Sequence, residues 1–312
     1  MPKVSIITTT YQHERFIAET IESILTQSFV DWELLIGDDS PGDANWAIIE
    51  QYVQKYPTKI RAWHHSPNKW IVDNMNFLLS QMSPDSQYVA FLEGDDLYTP
   101  DYLERKLKLW EKYPDLGLVY NELSTIDEQS NILERYFLWP RTRKWYKNET
   151  DTIWNFLTSD MVCFSYSTLM AKRYDGMKVS DLWFPGLMWS ESDFWLQIAS
   201  RSNIYGIAEP LTLYRKHQNN TSKSLDTSIS HFEYLITQYS SDGYINKKEY
   251  AKMQILILMM KSFGFLQHKE YSTMFHACVA CFQISLVDTI IIWSQSLYYR
   301  LIKPYVFSLL YK

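Results

Sequence analysis

Short apolar runs alternate with helix-spaced apolar positions over roughly the first hundred residues. Val4-Ser5-Ile6-Ile7-Thr8 reads as a strand with a polar exit at Thr9-Thr10-Tyr11, and a helix is predicted over residues 14–26, where Ile17, Ile21 and Ile24 form one stripe. A second strand at 32–36 runs into Gly37-Asp38-Asp39-Ser40-Pro41-Gly42, whose Pro-Gly pair signals a turn. Ile48, Ile49, Tyr52, Val53 and Tyr56 mark a second helix, residues 60–63 a third strand, 74–82 a third helix and 88–92 a fourth strand. Such a βαβαβαβ alternation predicts an α/β fold with a mostly parallel central sheet flanked by helices, its crossovers right-handed.

Beyond it, Thr99-Pro100 opens a helix with Leu103, Leu107 and Trp110 on one face, and the interleaved Arg105, Lys106 and Lys108 read as its solvated side. Residues 116–120 read as a strand, 127–151 as a polar, aromatic-rich loop or insertion, 161–171 as extended and 211–214 as a short strand. From residue 223 the pattern is helical, which divides the chain into a domain at 1–222 and a helical C-terminal extension at 223–312.

The 312 residues carry a net charge of -6, which disfavours a nucleic-acid partner, since displacing counterions from phosphates needs a basic face. Three cysteines, Cys163, Cys278 and Cys281, show no disulfide framework. Cys278 and Cys281 form a C-x-x-C pair in an apolar helical stretch, which reads as helix packing. Met1-Pro2-Lys3 leads directly into a strand without an apolar leader, so the N-terminal part is expected in the cytoplasm.

Chemistry concentrates where strands end. Phe91-Leu92-Glu93-Gly94-Asp95-Asp96 delivers three carboxylates at the carboxyl end of a buried strand, the edge at which open α/β sheets bind ligands. Adjacent carboxylates repel each other, and a bound cation offsets that repulsion. No G-x-G-x-x-G is present, and Gly37 and Gly42 have the spacing of a phosphate loop but are followed by Asp43-Ala44 instead of Lys-Ser/Thr. Phosphate charge would therefore be met by Mg²⁺ or Mn²⁺ held on carboxylates.

Residues 2 to about 222 resemble a family 2 glycosyltransferase of the GT-A fold. The resemblance rests on Pro2-Lys3-Val4-Ser5-Ile6-Ile7, Thr9-Thr10-Tyr11, Ile21-Glu22-Ser23-Ile24-Leu25-Thr26-Gln27-Ser28, Glu33-Leu34-Leu35-Ile36-Gly37-Asp38-Asp39-Ser40, Phe91-Leu92-Glu93-Gly94-Asp95-Asp96 and Tyr214-Arg215-Lys216-His217, in that order. It implies an inverting, nucleotide-sugar-dependent enzyme. Thr9, Tyr11 and Asp39 would line the nucleoside pocket, Asp95 would approach the ribose, and Asp96 would bind Mn²⁺ or Mg²⁺ on the diphosphate. His217 would add a contact to the metal, and Arg215 one to the diphosphate. Asn68 matches a polar nucleotide-side position, whereas Trp70 stands where a glycine is usual and Met75 where an arginine is frequent.

The catalytic base is expected at Glu191, four residues before Trp195, with Asp193 as the alternative. Here the sequence departs from the family's Glu-Asp pair, because Ser190-Glu191 stands in its place. Trp183, Phe184, Trp189 and Trp195 divide between core packing and a stacking floor for a sugar. The implied partners are a nucleotide-sugar donor, usually of uracil, and a glycan or lipid-linked saccharide acceptor. A non-catalytic nucleotide-sugar-binding protein would keep Asp39, Asp95 and Asp96 and tolerate loss of the base; a sugar nucleotidyltransferase would need a glycine-rich basic loop that Thr8-Thr9-Thr10-Tyr11-Gln12-His13 lacks.

From Ala251 to Lys312 six basic residues stand against two acidic ones in a sequence rich in Ile, Leu, Phe and Tyr. Its apolar segments are short or interrupted by His276, Gln283 and Asp288, which suits peripheral contact with the inner membrane face, packing on the catalytic domain or a homo-oligomer contact better than a span.

Overall fold

The computed structural model describes residues 3–135, 143–145, 165–179, 194, 197–198, 201–218 and 220 and, with interruptions, 233–290. The chain divides into two compact units, Met1–Asn220 and Thr221–Lys312.

The first unit is built on β1 (Val4–Thr10), β2 (Trp32–Asp38), β3 (Ile60–His64) and β4 (Tyr88–Phe91), joined by helices α1 (Ile17–Leu25), α2 (Asp43–Lys55) and α3 (Trp70–Ser80). β1 lies between β2 and β4, and β3 flanks β2, all parallel. The stripe Ile17, Ile21 and Ile24 is fully buried and packs with Val4, Ile6, Leu34 and Ile36 of the sheet. Burial of each such side chain contributes about 1.5–3 kcal/mol.

After the two-residue β5 (Leu97–Tyr98) and α4 (Tyr102–Lys112) come β6 (Leu116–Ile126), β7 (Ile132–Glu134), β8 (Arg143–Trp145), a 3₁₀ turn at Tyr166–Thr168, β9 (Leu169–Lys172) and β10 (Asn203–Arg215). The sheet runs β3-β2-β1-β4-β9-β6-β10-β5, with β7 on β6 and β8 on β10. β9 is antiparallel to both β4 and β6, so the sheet is mixed, yet the long strands β1–β4, β6 and β10 all point the same way. Their carboxyl ends meet along one edge.

Two strands exceed the sequence expectation. β6 continues six positions past Tyr120 to Ile126 by way of buried Asn121, Glu122, Ser124 and Thr125, and these polar residues hide the strand from a hydrophobic pattern. β10 begins at Asn203, with Pro210 at a register shift where a missing N–H is tolerated. Lys106 overturns its solvated assignment. It is fully buried, its Nζ donates to the Tyr102 hydroxyl and the carbonyls of Val119 and Thr168, and burial pushes its pKa well below the lysine range.

In the second unit, Tyr271–Ile284 is helical and carries Cys278 and the buried Cys281, neither in a disulfide; Cys281 Sγ lies against the Ile255 carbonyl. Among the described residues no helix is long and apolar enough to cross a membrane.

Candidate active site

The carboxyl edge of the sheet holds two polar clusters. At the end of β2, the Asp39 amide donates to the Thr10 carbonyl, and its carboxylate accepts from the Lys69 amide (3.0 Å) and Asn74 Nδ2 (3.1 Å). Asn74 also donates to the Gly37 carbonyl, and its Oδ1 lies 3.2 Å from His65 Nε2. A Cβ on Gly37 would stand 1.9 Å from Asn74 Oδ1, so only glycine admits this approach. Burial raises the Asp39 carboxyl above its ordinary range, against the hydrogen bonds from Lys69 and Asn74. Thr9 is nearly buried beside Gly37, and Tyr11 is 48% exposed at the rim.

The second cluster lies beyond β4, where the Gly94 amide donates to the Thr9 carbonyl. Asp95 Oδ2 is 2.9 Å from His217 Nε2, at the end of β10, and 3.7 Å from His13 Nε2, which follows β1. Burial opposes ionisation of Asp95, but the His217 hydrogen bond and the neighbouring His13 and His217 rings outweigh it, and its pKa is held below the ordinary range. Burial lowers the pKa of His13 and keeps its ring neutral near pH 7. Glu93 accepts from the Ser165 hydroxyl; burial and the Asp95 charge push it up to about 7. Ligand atoms of His13, Asp95 and His217 lie within 4.8 Å of one another, as do those of Glu93, Asp95 and Asp96. Carboxylate oxygens and imidazole nitrogens in such a group suit a divalent ion of the Mn²⁺ type.

A family model described as glycosyl transferase family 2 matches residues 5–174, more than half of the chain and nearly all of the strands that carry these clusters. The chain belongs to glycosyltransferase family 2. It is 38% identical over 127 residues to EpsE of Bacillus subtilis, a protein named as a glycosyltransferase, covering 41% of this chain and 45% of EpsE. It is 27% identical over 175 residues to chondroitin synthase of Escherichia coli, covering 56% of this chain and 24% of the synthase. The matches thus span less than half of these relatives. Residues 1–349 of S. aureus TarS, solved with UDP-GlcNAc, superpose with a TM-score of 0.61 at 14% identity, over 90% of this chain and 81% of that one. The mannosyltransferase PcManGT of Pyrobaculum calidifontis, solved with GDP-Man and Mn²⁺, gives a TM-score of 0.55 at 14% identity, over 97% and 82%. This likeness shows the GT-A fold.

Within this family 2 chain, two expected site residues face inward. Asp96 is fully buried, and its oxygens accept from the Arg215 amide (2.9 Å) and the Ser167 hydroxyl (2.6 Å). Burial, with the charges of Asp95 and Glu93, raises its pKa well above the ordinary range. Asp95 is the carboxylate that stands beside His217, while Asp96, the expected metal ligand, turns to Arg215 and Ser167 yet keeps a carboxylate oxygen within 4.8 Å of those of Glu93 and Asp95. Arg215, expected to contact the diphosphate, is 0% exposed. Its guanidinium donates to the Asp95 and Asp127 carbonyls, the Ser130 hydroxyl and the Glu19 carboxylate, over the face of Phe16. Arg215 therefore braces the peptide of Asp95.

At the exit of β2, Asn68 Oδ1 accepts from the Trp70 amide at 2.6 Å and shapes the turn that supplies the Lys69 amide to Asp39. Trp70 has φ +64°, a conformation that favours glycine, and its ring is 76% exposed. His13, Asn74, His65 and Ser167 escape the sequence reading. Only Asn74 leaves a trace there, as a polar residue at a position inside α3 that faces the sheet. Glu191, Asp193, Trp183, Phe184, Trp189 and Trp195 lie outside the described residues.

Proposed function

We propose that the chain transfers a sugar from a nucleoside diphosphate donor, a UDP-sugar, to a hydroxyl of a glycan or lipid-linked acceptor during synthesis of a cell-surface polysaccharide, with inversion at the anomeric carbon. The observation that carries this reading is the Asp95–His217 pair beyond the exit of β4 and the Asp39–Asn74 pair at the exit of β2, on either side of β1. Their spacing along the sheet edge suits a nucleoside at Asp39 and a diphosphate at Asp95. The polysaccharide setting draws on relatives named for such work, among them the teichuronic acid biosynthesis protein TuaG of Bacillus subtilis, 35% identical over 107 residues.

Asp39 accepts a hydrogen bond from the base, with Thr9 and Tyr11 beside it and Asn68 shaping the neighbouring turn. Asp95 and His217 would hold a divalent ion, Mn²⁺ or Mg²⁺, and Arg215 fixes the peptide of Asp95. A bound ion supplies positive charge to the departing nucleoside diphosphate. Glu191, with Asp193 as the alternative, takes the acceptor proton, and the acceptor oxygen attacks the anomeric carbon from the face opposite the leaving group. The C-terminal unit contacts the membrane that carries a lipid-linked acceptor.

Incubating the protein with Mn²⁺ and a panel of nucleotide sugars, with acceptor-free hydrolysis and transfer followed by NMR, tests the reading. Release of UDP from one donor, with the product anomer inverted, is expected. Full activity in excess chelator would remove the cation from the scheme, and a retained anomer would remove single displacement.

A further inference from the structure

His13 belongs to no motif that the proposed function uses. Its carbonyl accepts from the amides of Phe16 and Ile17 at 2.8 Å, which anchors the residue at the entry to α1. The ring is turned toward Asp95. Nε2 stands 3.7 Å from Asp95 Oδ2, beyond hydrogen-bond range, and Nδ1 is buried without a partner. Beyond the charge contact of Nε2 with Asp95 the ring makes no hydrogen bond among the described residues, and its Nδ1 is an orphan of the kind that buried polar atoms rarely tolerate. His13 also meets His217 edge-on, with ring centroids 5.9 Å apart.

We propose that His13 is a third protein ligand of the divalent cation, through Nε2, and that this second imidazole makes the site select an ion of the Mn²⁺ type over Mg²⁺. The inference rests on the cation–diphosphate reading and adds a ligand and a selectivity to it. Ligands of a six-coordinate ion with bonds of about 2.1 Å stand about 3 Å apart when adjacent and about 4.2 Å apart when opposite. Separations of 2.9 and 3.7 Å to the shared Asp95 oxygen, with all three ligand atoms inside 4.8 Å, fall on that pattern after movements of less than about an ångström. Two imidazoles and one carboxylate leave three positions for diphosphate oxygens and water. Mg²⁺ prefers a shell made of oxygen alone, whereas the transition ions accept imidazole readily. Gly94 contributes by its size, since a Cβ there would come within 3.0 Å of His13 Nδ1 and 2.6 Å of the Thr10 side chain.

The test is pulsed EPR of Mn²⁺ bound to the full chain, alone and with UDP, counting coordinated imidazole nitrogens, beside titrations of Mn²⁺ and Mg²⁺. Two imidazoles are expected in the wild type and one each in His13→Gln and His217→Gln. His13→Gln should weaken Mn²⁺ by about 10–100-fold, the usual effect of disturbing a metal's surroundings, while Mg²⁺ shifts by less than about threefold. A single imidazole in the wild type overturns the role of His13 and leaves the cation reading standing; this count needs no variant to fold. Absence of any Mn²⁺ binding overturns both. Equal weakening of Mn²⁺ and Mg²⁺ in His13→Gln overturns the selectivity.

Discussion

Glu33 lies at the amino end of β2 and Glu93 just beyond the carboxyl end of the parallel β4, both largely removed from water, and their carboxyls move in opposite directions. At the amino end, Glu33 accepts from the Ser5 hydroxyl, the Ser83 amide and hydroxyl, and Arg61 at 2.7 Å. Burial alone would raise it, but these partners prevail and hold it below the ordinary range. At the carboxyl end, Glu93 has one hydroxyl partner and faces Asp95, and it is pushed up to about 7. One end of the sheet satisfies its buried charge completely. The other leaves charge crowded and short of compensation, the condition expected where a ligand supplies the missing counter-charge.

The largest effect expected from this contrast is at Asp95. Asp95→Asn should lower turnover by about a thousandfold or more, as loss of a transition-state electrostatic partner does, with little change in thermal stability. Asp96→Ala should behave differently, because it strips the acceptor from the buried Ser167 hydroxyl and Arg215 amide. About 2–4 kcal/mol of stability should go with it, measured by denaturant unfolding. If Asp96→Ala left stability intact and abolished Mn²⁺ binding, the assignment of the two aspartates would reverse.

At the other end, Glu33→Ala should destabilise by about 2–4 kcal/mol, since Ser5, Ser83 and Arg61 lose their common acceptor, while kcat per folded molecule stays at the wild-type value. A kinetic defect in that variant would erase the distinction between the two ends. The pH dependence sharpens the same point. The folded pKa of Glu33 is depressed from 4.5, so its contribution is full above that value and disappears as pH falls through the lower folded pKa. The wild-type melting temperature should accordingly drop more steeply below about pH 4.5 than that of Glu33→Gln.

The smallest effect concerns Trp70. Its left-handed backbone costs about 1–2 kcal/mol in a residue with a Cβ, and the exposed ring returns little by burial. Trp70→Gly should therefore stabilise the protein by about 0.5–1 kcal/mol after the extra chain entropy of glycine is subtracted. No gain, or a loss, would show that the indole is held by contacts that offset the strain.

The order of strands and helices through β4 was legible because apolar spacing reports burial directly, and Asp39, Asp95 and His217 stood out as polar residues at strand exits. Other features left weaker traces. Asp95 and Asp96 are neighbours in the chain yet face the crevice and the core respectively, and adjacency in sequence carries no sign of which is which. His13 lies 82 positions before Asp95, and only the pairing of β1 with β4 brings the two strand exits together. Lys106 falls on the buried face of α4 with Leu103, Leu107 and Trp110, but its charge masks that position in an apolar pattern, and nothing in the sequence reveals the hydroxyl and two carbonyls that receive it.

Arg215 carries a consequence for how the protein comes into being. A growing chain that has emerged through Asp96 already holds β1, β2, β4 and the Asp39 pocket, but not the guanidinium that grips the Asp95 carbonyl, nor the imidazole of His217. Both arrive about 120 residues later, on the last long strand of the first unit. The residues of the Asp39 cluster are thus all present before those of the Asp95 cluster are. An incomplete polypeptide released from the ribosome before that strand would lack both Arg215 and His217, and the Asp95 carboxylate would be left without its imidazole partner.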